Sequence, residues 1–451
     1  MTEEKSSTVS ERNKQEEEAQ WASHKAEREV WSPKMVEALE RGIKGGKWFS
    51  LIDKVYSERT LALAWEKVAS NAGASGVDGI TVERFAKDSQ SRLLAVKEHL
   101  RRGDYRAQPI KRVWIPKPGS TEKRPLGIPT VRDRIVQTAM RMVIEPIFEQ
   151  EFAEQSYGFR PGRSGKEALR RVEELLKAGN VHVVDIDIKG YFDAIPHERL
   201  MKLVGERIAD GRVMGLIEAF LKAGVMEGME SWEAEDGTPQ GGVISPLLAN
   251  IYLNPLDWIM KQSGMEMVRY ADDMVILCRE AESAAAALEA VREWMGEAQL
   301  QLHPEKTRIV EMTEAGSHFD FLGYRFWRGK DGRIKRFVRP KSVKKLRDRL
   351  RPLTKRNSGS RLASVIAKIN PVLRGWYGYF KHASRSTMVR TDEWVRGRLR
   401  NILRRRSGRA NRATGRDHHR WPNRYFETQG LFCLEHAHIA DRHTLRKGVT
   451  C

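Results

Sequence analysis

Arg269-Tyr-Ala-Asp-Asp-Met-Val-Ile-Leu-Cys278 is the stretch on which the reading of this chain turns. Two adjacent carboxylates, Asp272 and Asp273, sit between short apolar runs, Met267-Val268 before them and Met274 to Leu277 after. Such runs, broken by polar turn formers, predict a β-hairpin with the acids at its tip. Neighbouring side chains on a strand point to opposite faces, so the pair cannot form a clamp without a carboxylate from another strand. Val181-His-Val-Val-Asp-Ile-Asp-Ile188 supplies one. Its alternation puts Val183, Asp185 and Asp187 on one face and Val184, Ile186 and Ile188 on the other.

Two like charges about 4 Å apart repel by roughly 4 kcal/mol at an effective dielectric near 20, so clustered acids usually hold cations. Oxygen ligands without a His or Cys pair favour Mg²⁺ or Mn²⁺ over zinc, and two such ions are the standard device for in-line displacement at phosphorus. Either piece alone reads as a solvated turn or an ordinary polar strand. Both together, in this order, read as a metal site built on the Asp272-Asp273 pair and the strand face that carries Asp185 and Asp187.

Tyr270-Ala-Asp-Asp273, with Asp187-Ile-Lys-Gly-Tyr-Phe-Asp193 upstream, resembles the polymerase core of reverse transcriptases, specifically those encoded in group II introns. The likeness runs from about Lys47 to about His438 and its blocks are in family order. It implies an α+β right-hand polymerase, fingers and palm on an antiparallel sheet, followed by an all-α basic thumb or maturase domain. The implied layout is a polar leader over 1–40, an N-terminal extension over 41–97 and fingers with palm over 98–326. A maturase-specific thumb over 335–440 and a tail over 441–451 complete it.

Composition sets the partner class. The 451 residues carry a formal charge of +20, which calls for a polyanion. From Asp331 onward 32 Lys and Arg face 8 Asp and Glu, whereas the first 330 residues carry 48 against 52. The positive field therefore belongs to the last quarter. Three scattered cysteines, Cys278, Cys433 and Cys451, fit a reducing compartment without a disulfide framework. No stretch approaches the ~20 apolar residues of a membrane span, and no signal-peptide core is present, so no membrane partner and a cytoplasmic setting are expected.

Along the chain, Arg112-Val-Trp-Ile-Pro-Lys-Pro-Gly119 and Lys123-Arg-Pro-Leu-Gly-Ile-Pro129 predict a hairpin presenting basic side chains. The resemblance makes it the fingers, with Lys117 and Arg124 facing an incoming triphosphate. Ser156-Tyr-Gly-Phe-Arg-Pro-Gly-Arg163 resembles the block that supports the template, which puts Arg160 and Arg163 near phosphate; loop packing is the alternative. Phe192 falls where the family places an aromatic ring under the nucleotide sugar, a position that excludes a 2′-hydroxyl. Asp193 and His197 read as structural. In Thr238-Pro-Gln-Gly-Gly242 two glycines let backbone approach a ligand, and the resemblance puts Gln240 on the nucleotide.

Further on, His303 stands where relatives usually show Asn, and Lys306 and Tyr270 are expected at nucleic acid. Phe319-Asp-Phe-Leu-Gly-Tyr324 resembles the hairpin that grips the primer end, though Phe321, Leu322 and Tyr324 read equally as plain core. Helices are expected over 342–353, 361–380 and 388–405, the second with a Pro kink. Arg374 and the run Arg404-Arg405-Arg406 are read as an RNA-facing surface. Many relatives continue into a Cys/His metal endonuclease; Cys433, His436 and His438 lack the paired spacing of a zinc site, so no second-strand nuclease is expected.

The resemblance thus implies an RNA-directed DNA polymerase that binds its parent intron RNA to assist splicing and mobility. Its partners would be that RNA, a DNA primer or target, an RNA template, dNTPs and two Mg²⁺ ions held by Asp187, Asp272 and Asp273, with Mn²⁺ a substitute. It leaves room for a homodimer. A splicing-only RNA chaperone, a reverse transcriptase adapted to phage defence and an RNA-copying polymerase are the alternatives.

Overall fold

A computed structural model of the chain describes residues 30–43, 45–116, 123–227, 230–232, 236–409 and 415–447. Among them the chain forms two compact units, the first ending at Ile309 and the second beginning at Val310.

The first unit is built on two sheets. Strands β1 (Ile110–Pro116) and β2 (Lys123–Ile128) pair antiparallel, Ile115 opposite Arg124, and form the expected basic hairpin. The central sheet uses β3 (His182–Asp187), and β4 (Val225–Glu227) and β5 (Glu230–Trp232) extend the hairpin sheet through a parallel β1–β4 pair. Strands β6 (Glu266–Tyr270), β7 (Asp273–Cys278) and β8 (Arg308–Glu311) complete the central sheet in the order β6-β7-β3-β8. Met274 to Cys278 are all buried, because helices Gly165–Lys177 and Ala281–Glu297 pack against the sheet. Apart from the acids and His182, β3 and β7 are apolar throughout, as a sheet covered by helices requires.

Helix Val131–Glu149 is buried along most of its length and anchors this core. It begins at Thr130, whose hydroxyl oxygen accepts the Asp133 N–H at 3.1 Å. Helix Ser89–Arg102 went unpredicted. Residues 1–29 lie outside the described part, but Trp31 and Met35 are buried and helix Pro33–Arg41 is capped by Ser32. The end of the polar leader is thus drawn into the core by two apolar side chains.

The second unit opens with β9 (His318–Phe321), β10 (Tyr324–Arg328) and β11 (Ile334–Val338) as an antiparallel meander. Leu322 and Gly323 both have positive φ, 47° and 81°, the requirement of a two-residue type I′ turn. Phe319 and Phe326 stack across the pair at 5.1 Å. The Tyr324 hydroxyl donates to the Tyr379 carbonyl at 2.7 Å, and that of Tyr379 to the Leu322 carbonyl at 2.9 Å. Helices Pro340–Leu353, Leu362–Phe380 and Arg385–Arg406 follow, the second running unbroken through Pro371.

Asp210 knits the N-terminal segment to the rest of the first unit. One carboxylate oxygen accepts the Leu51 and Ile52 N–H groups, both at 2.8 Å; the other accepts those of Arg212 and Val213 at 3.0 and 3.2 Å. Burial alone would raise this carboxyl, but the four backbone donors hold it below the usual aspartate range. A depressed carboxyl stabilises the fold above its unfolded pKa near 3.9, and that stability disappears as pH falls through the lower folded value. Asp210→Ala is expected to cost about 1–2 kcal/mol, as loss of a helix cap does. In thermal melts the gap between it and the parent protein should be full at pH 7 and narrow as the pH falls below about 4.

Candidate active site

Strands β3 and β7 pair antiparallel in a register that sets Asp187 directly opposite Asp273 and Asp185 opposite Val275. Strand β6 pairs with β7 so that Tyr270 faces Asp273, leaving Ala271 and Asp272 as a two-residue turn. The acids at 187, 272 and 273 therefore meet at one end of the central sheet. Burial pushes the Asp272 carboxyl up; its own backbone N–H pulls it down, and the Asp187 charge pushes it up again. Each effect has a plain origin: desolvation penalises the charged form, and a second carboxylate nearby repels it. Both relax when a cation sits between the groups. The donor set, three carboxylates with no His or Cys, suits a hard divalent cation such as Mg²⁺ or Mn²⁺.

The main chain around Asp187 is gripped by the segment that follows the Ala281–Glu297 helix. His303 N–H donates to the Asp187 carbonyl at 2.7 Å, and Thr307 Oγ1 is 3.4 Å from the Asp187 N–H. Lys306 Nζ lies 2.9 Å from Asp187 Oδ2, so this cation meets one of the three acids. His303 Nδ1 also accepts the Glu305 N–H at 3.3 Å, a local side-chain-to-backbone bond. Arg308 pairs with Asp185 at 3.7 Å, which assigns the second acid of β3 to the strand's own electrostatics.

Beside the acids, a 3₁₀ turn at Tyr191–Asp193 carries Phe192, partly buried and edge-on to Tyr191 at 5.6 Å. Thr238 N–H donates to the Phe192 carbonyl at 2.6 Å. Gln240 Nε2 reaches Asp193 Oδ2 at 3.3 Å, and the Gln240 carbonyl accepts the Gly127 N–H of β2 at 2.6 Å. Gly241 has φ +116° and a Cβ there would lie 2.2 Å from the Gly127 carbonyl oxygen, so only glycine lets this loop sit on β2. Phe192, Gln240 and the Arg124-bearing hairpin are thereby joined in one unit with the acids. His197 Nε2 contacts the Gly237 carbonyl at 2.6 Å, fixing the same loop. Lys117 lies outside the described residues.

The basic candidates divide. Arg160 is a correction: it is buried, its guanidinium binding Glu149 at 2.7 Å and the carbonyls of Ala153 and Ser156 at 2.7 and 2.8 Å. Those bonds occupy it inside the loop, so loop packing describes it. Arg163 lies over the Tyr157 ring at 5.5 Å and is half-buried. Tyr270 is half-buried beside Phe159, their rings 6.3 Å apart.

In the second unit Arg374 is exposed over Phe432, and Arg405 and Arg406 are exposed. Arg404 is the second correction: it is paired at 2.5 Å with Asp417, itself fully buried. Arg400 is also buried, donating to the Trp421 carbonyl at 2.9 Å and to Asn423 at 2.7 Å. The arginine run thus alternates between packing and display, as a helix with one covered face must.

The structure also gathers residues that spacing kept apart. Ligand atoms of Glu427, Cys433 and His436 lie within 4.8 Å of one another. The Cys433 thiol, however, is pushed up to about 12 by burial and the Asp392 charge, and it donates to that carboxylate at 3.2 Å. Asp392 meanwhile accepts the Leu434 and Glu435 N–H groups that start helix Leu434–Lys447. The sequence reading missed Gly158 as well. A Cβ on Gly158 would fall 2.2 Å from the Ala271 nitrogen, because the 156–160 loop lies flat against the acid-bearing turn.

Two family models match the chain: "Reverse transcriptase (RNA-dependent DNA polymerase)" over residues 115–326 and "Group II intron, maturase-specific domain" over residues 343–421. Protein YkfC of Escherichia coli is 36% identical over 312 residues, which cover 59% of this chain and 80% of that protein. The group II intron-encoded protein LtrA of Lactococcus lactis is 39% identical over 215 residues, 47% of this chain and 35% of LtrA. An uncharacterized 91 kDa protein in the cob intron of Schizosaccharomyces pombe is 38% identical over 202 residues, 43% of this chain and 24% of that protein. The chain thus spans most of YkfC but about a third or less of the two intron proteins.

Gly158→Ala is expected to displace the Ala271-Asp272 turn while leaving the helices intact. Circular dichroism should match the parent protein, whereas affinity for Mn²⁺, followed by electron paramagnetic resonance, should fall by about tenfold or more.

Proposed function

The chain belongs to the family of group II intron-encoded reverse transcriptases and maturases, and we propose that it copies its parent intron RNA into DNA and helps that RNA splice. The observation that carries the polymerase half is the register setting Asp187 opposite Asp273, with Asp272 in the adjoining turn. All three acids and the Gln240 turn are present, which favours an active polymerase over a splicing-only chaperone.

Asp187, Asp272 and Asp273 would hold two divalent ions, magnesium in our reading with manganese as substitute. When bound, such ions favour ionisation of the attacking hydroxyl and offset charge on the triphosphate and leaving group. The remaining work falls to the chain. Arg124, and Lys117 by family likeness, neutralise phosphate oxygens of the incoming dNTP; the arginine fork suits a bidentate grip. Gln240, anchored through its carbonyl to Gly127, presents an amide to the nucleotide. Phe192, braced by Tyr191 and the Thr238 N–H, closes the space that a 2′-hydroxyl would need. Tyr270, Arg163 and Lys306 border the primer and template.

The exposed arginines of the second unit, Arg374, Arg405 and Arg406, suit the phosphates of the intron RNA, with affinity falling steeply as salt rises. A cytoplasmic setting and room for a homodimer belong to the same reading.

Asp272→Asn is expected to abolish dNTP addition to a primer on an RNA template while leaving intron-RNA affinity, measured by filter binding, within about twofold of the parent, since base and phosphate contacts lie elsewhere. Undiminished synthesis would refute the assignment. Phe192→Ala should leave dNTP addition working and raise ribonucleotide incorporation by about tenfold or more, the scale of discrimination that pocket shape confers.

A further inference from the structure

Behind the acid-bearing turn lies a polar cluster that no part of the chemistry so far requires. Arg269 is fully buried. Its Nε donates to Asp257 Oδ1 at 2.7 Å and its Nη2 to Asp257 Oδ2, a two-pronged pair in which both side chains are wholly shielded from solvent. The remaining nitrogen, Nη1, donates to Asn250 Oδ1 at 2.9 Å and to the carbonyl of Ala271 at 3.0 Å. Asn250 in turn donates through Nδ2 to the Gly158 carbonyl at 2.7 Å. The main chain of Arg269 is pinned as well: its N–H donates to the Gln155 carbonyl at 2.9 Å, and its carbonyl accepts the Tyr157 N–H at 2.8 Å.

Arg269 therefore ties three elements together: its guanidinium joins helix Ser245–Gln262 to the two-residue turn, and its main chain, with the Asn250 amide, holds the 155–158 loop. The turn needs such a tie. Ala271 has φ 59°, a left-handed conformation that a residue with a Cβ adopts at a cost and keeps only where its surroundings impose it. A buried ion pair is poor evidence for stability as such, because well-packed apolar side chains of similar volume often do as well. What apolar side chains cannot supply is a donor to the Ala271 carbonyl, one peptide from Asp272.

We propose that Arg269, clamped by Asp257 and Asn250, is a positioning residue that fixes the Ala271-Asp272 turn and so sets the direction in which the Asp272 carboxylate points. This rests on the polymerase reading above and adds to it a built-in support for the cation site. The charge of Arg269 also reaches the Asp272 carboxylate and favours its ionised form, in keeping with that role.

The test compares the full-length parent protein with Arg269→Lys, Asn250→Ala and a control, Ile217→Val, which trims a buried side chain of helix Gly211–Leu221. Mn²⁺ affinity is read by electron paramagnetic resonance without nucleic acid, and kcat and KM for dNTP by primer extension. Arg269→Lys keeps the charge but loses the fork, and should bind Mn²⁺ about 10- to 100-fold more weakly, with kcat lowered and KM for dNTP near the parent value. Asn250→Ala leaves the Arg269–Asp257 pair standing and should lose several-fold in Mn²⁺ affinity by the same route. Ile217→Val should lower the melting temperature and leave Mn²⁺ affinity unchanged. Parental Mn²⁺ affinity in a folded Arg269→Lys protein overturns the proposal; if that variant does not fold, parental affinity in Asn250→Ala does so. A parent protein that binds Mn²⁺ but extends no primer would instead overturn the polymerase reading.

Discussion

Repulsion between carboxylates is the constraint around which the first unit is organised. Asp187 and Asp273 face each other across two hydrogen-bonded strands, and Asp272 sits in the next peptide. Left alone, such a cluster works against folding, since desolvation and mutual repulsion both penalise the charged forms. The surroundings show how the cost is met. Lys306 pairs with one acid, a backbone N–H serves another, and the strand ends are held by a loop on each side. A site that is tense without cations is one prepared to receive them, and this links the fold to its chemistry.

The supports of that site come from far along the chain. The turn is backed by helix Ser245–Gln262 through Arg269 and by the 155–158 loop through close backbone approach at Gly158. Asp187 is held through its main chain by His303 and Thr307. The loop of Gln240 lies on β2, where a glycine on each strand of the contact removes the Cβ atoms that would keep the backbones apart. Precision at the acids is thus set by packing and hydrogen bonds two layers away, the usual way metal-binding carboxylates are oriented.

Part of this was legible in the sequence. Alternation over Val183 to Ile188 gave the face carrying Asp185 and Asp187, and the apolar runs around Asp272 gave the hairpin. The register between the strands was not legible, because a slip of one residue would turn every side chain to the other face and local pattern does not set it. The family likeness supplied what periodicity could not. The errors lie with arginine. Arg160 and Arg404 look like any other cation in the sequence, but their partners, Glu149 and Asp417, stand 11 and 13 residues away. Burial of a charge depends on such distant partners, so composition reads both as surface. One signal was available: Asp257, an acid within the apolar helix Ser245–Gln262, asks for a buried cation, and Arg269 between apolar strand residues is its natural match.

The central claim is that acids remote in sequence share divalent cations at the end of one sheet. Replacing those cations with Fe²⁺ and adding peroxide and ascorbate generates hydroxyl radicals at the bound ions, which cut the nearby backbone. The account predicts two cuts that appear together and are suppressed together by excess Mg²⁺, one beside Asp187 and one between Tyr270 and Asp273. A protein that is cut at neither place, or at one alone, would contradict it.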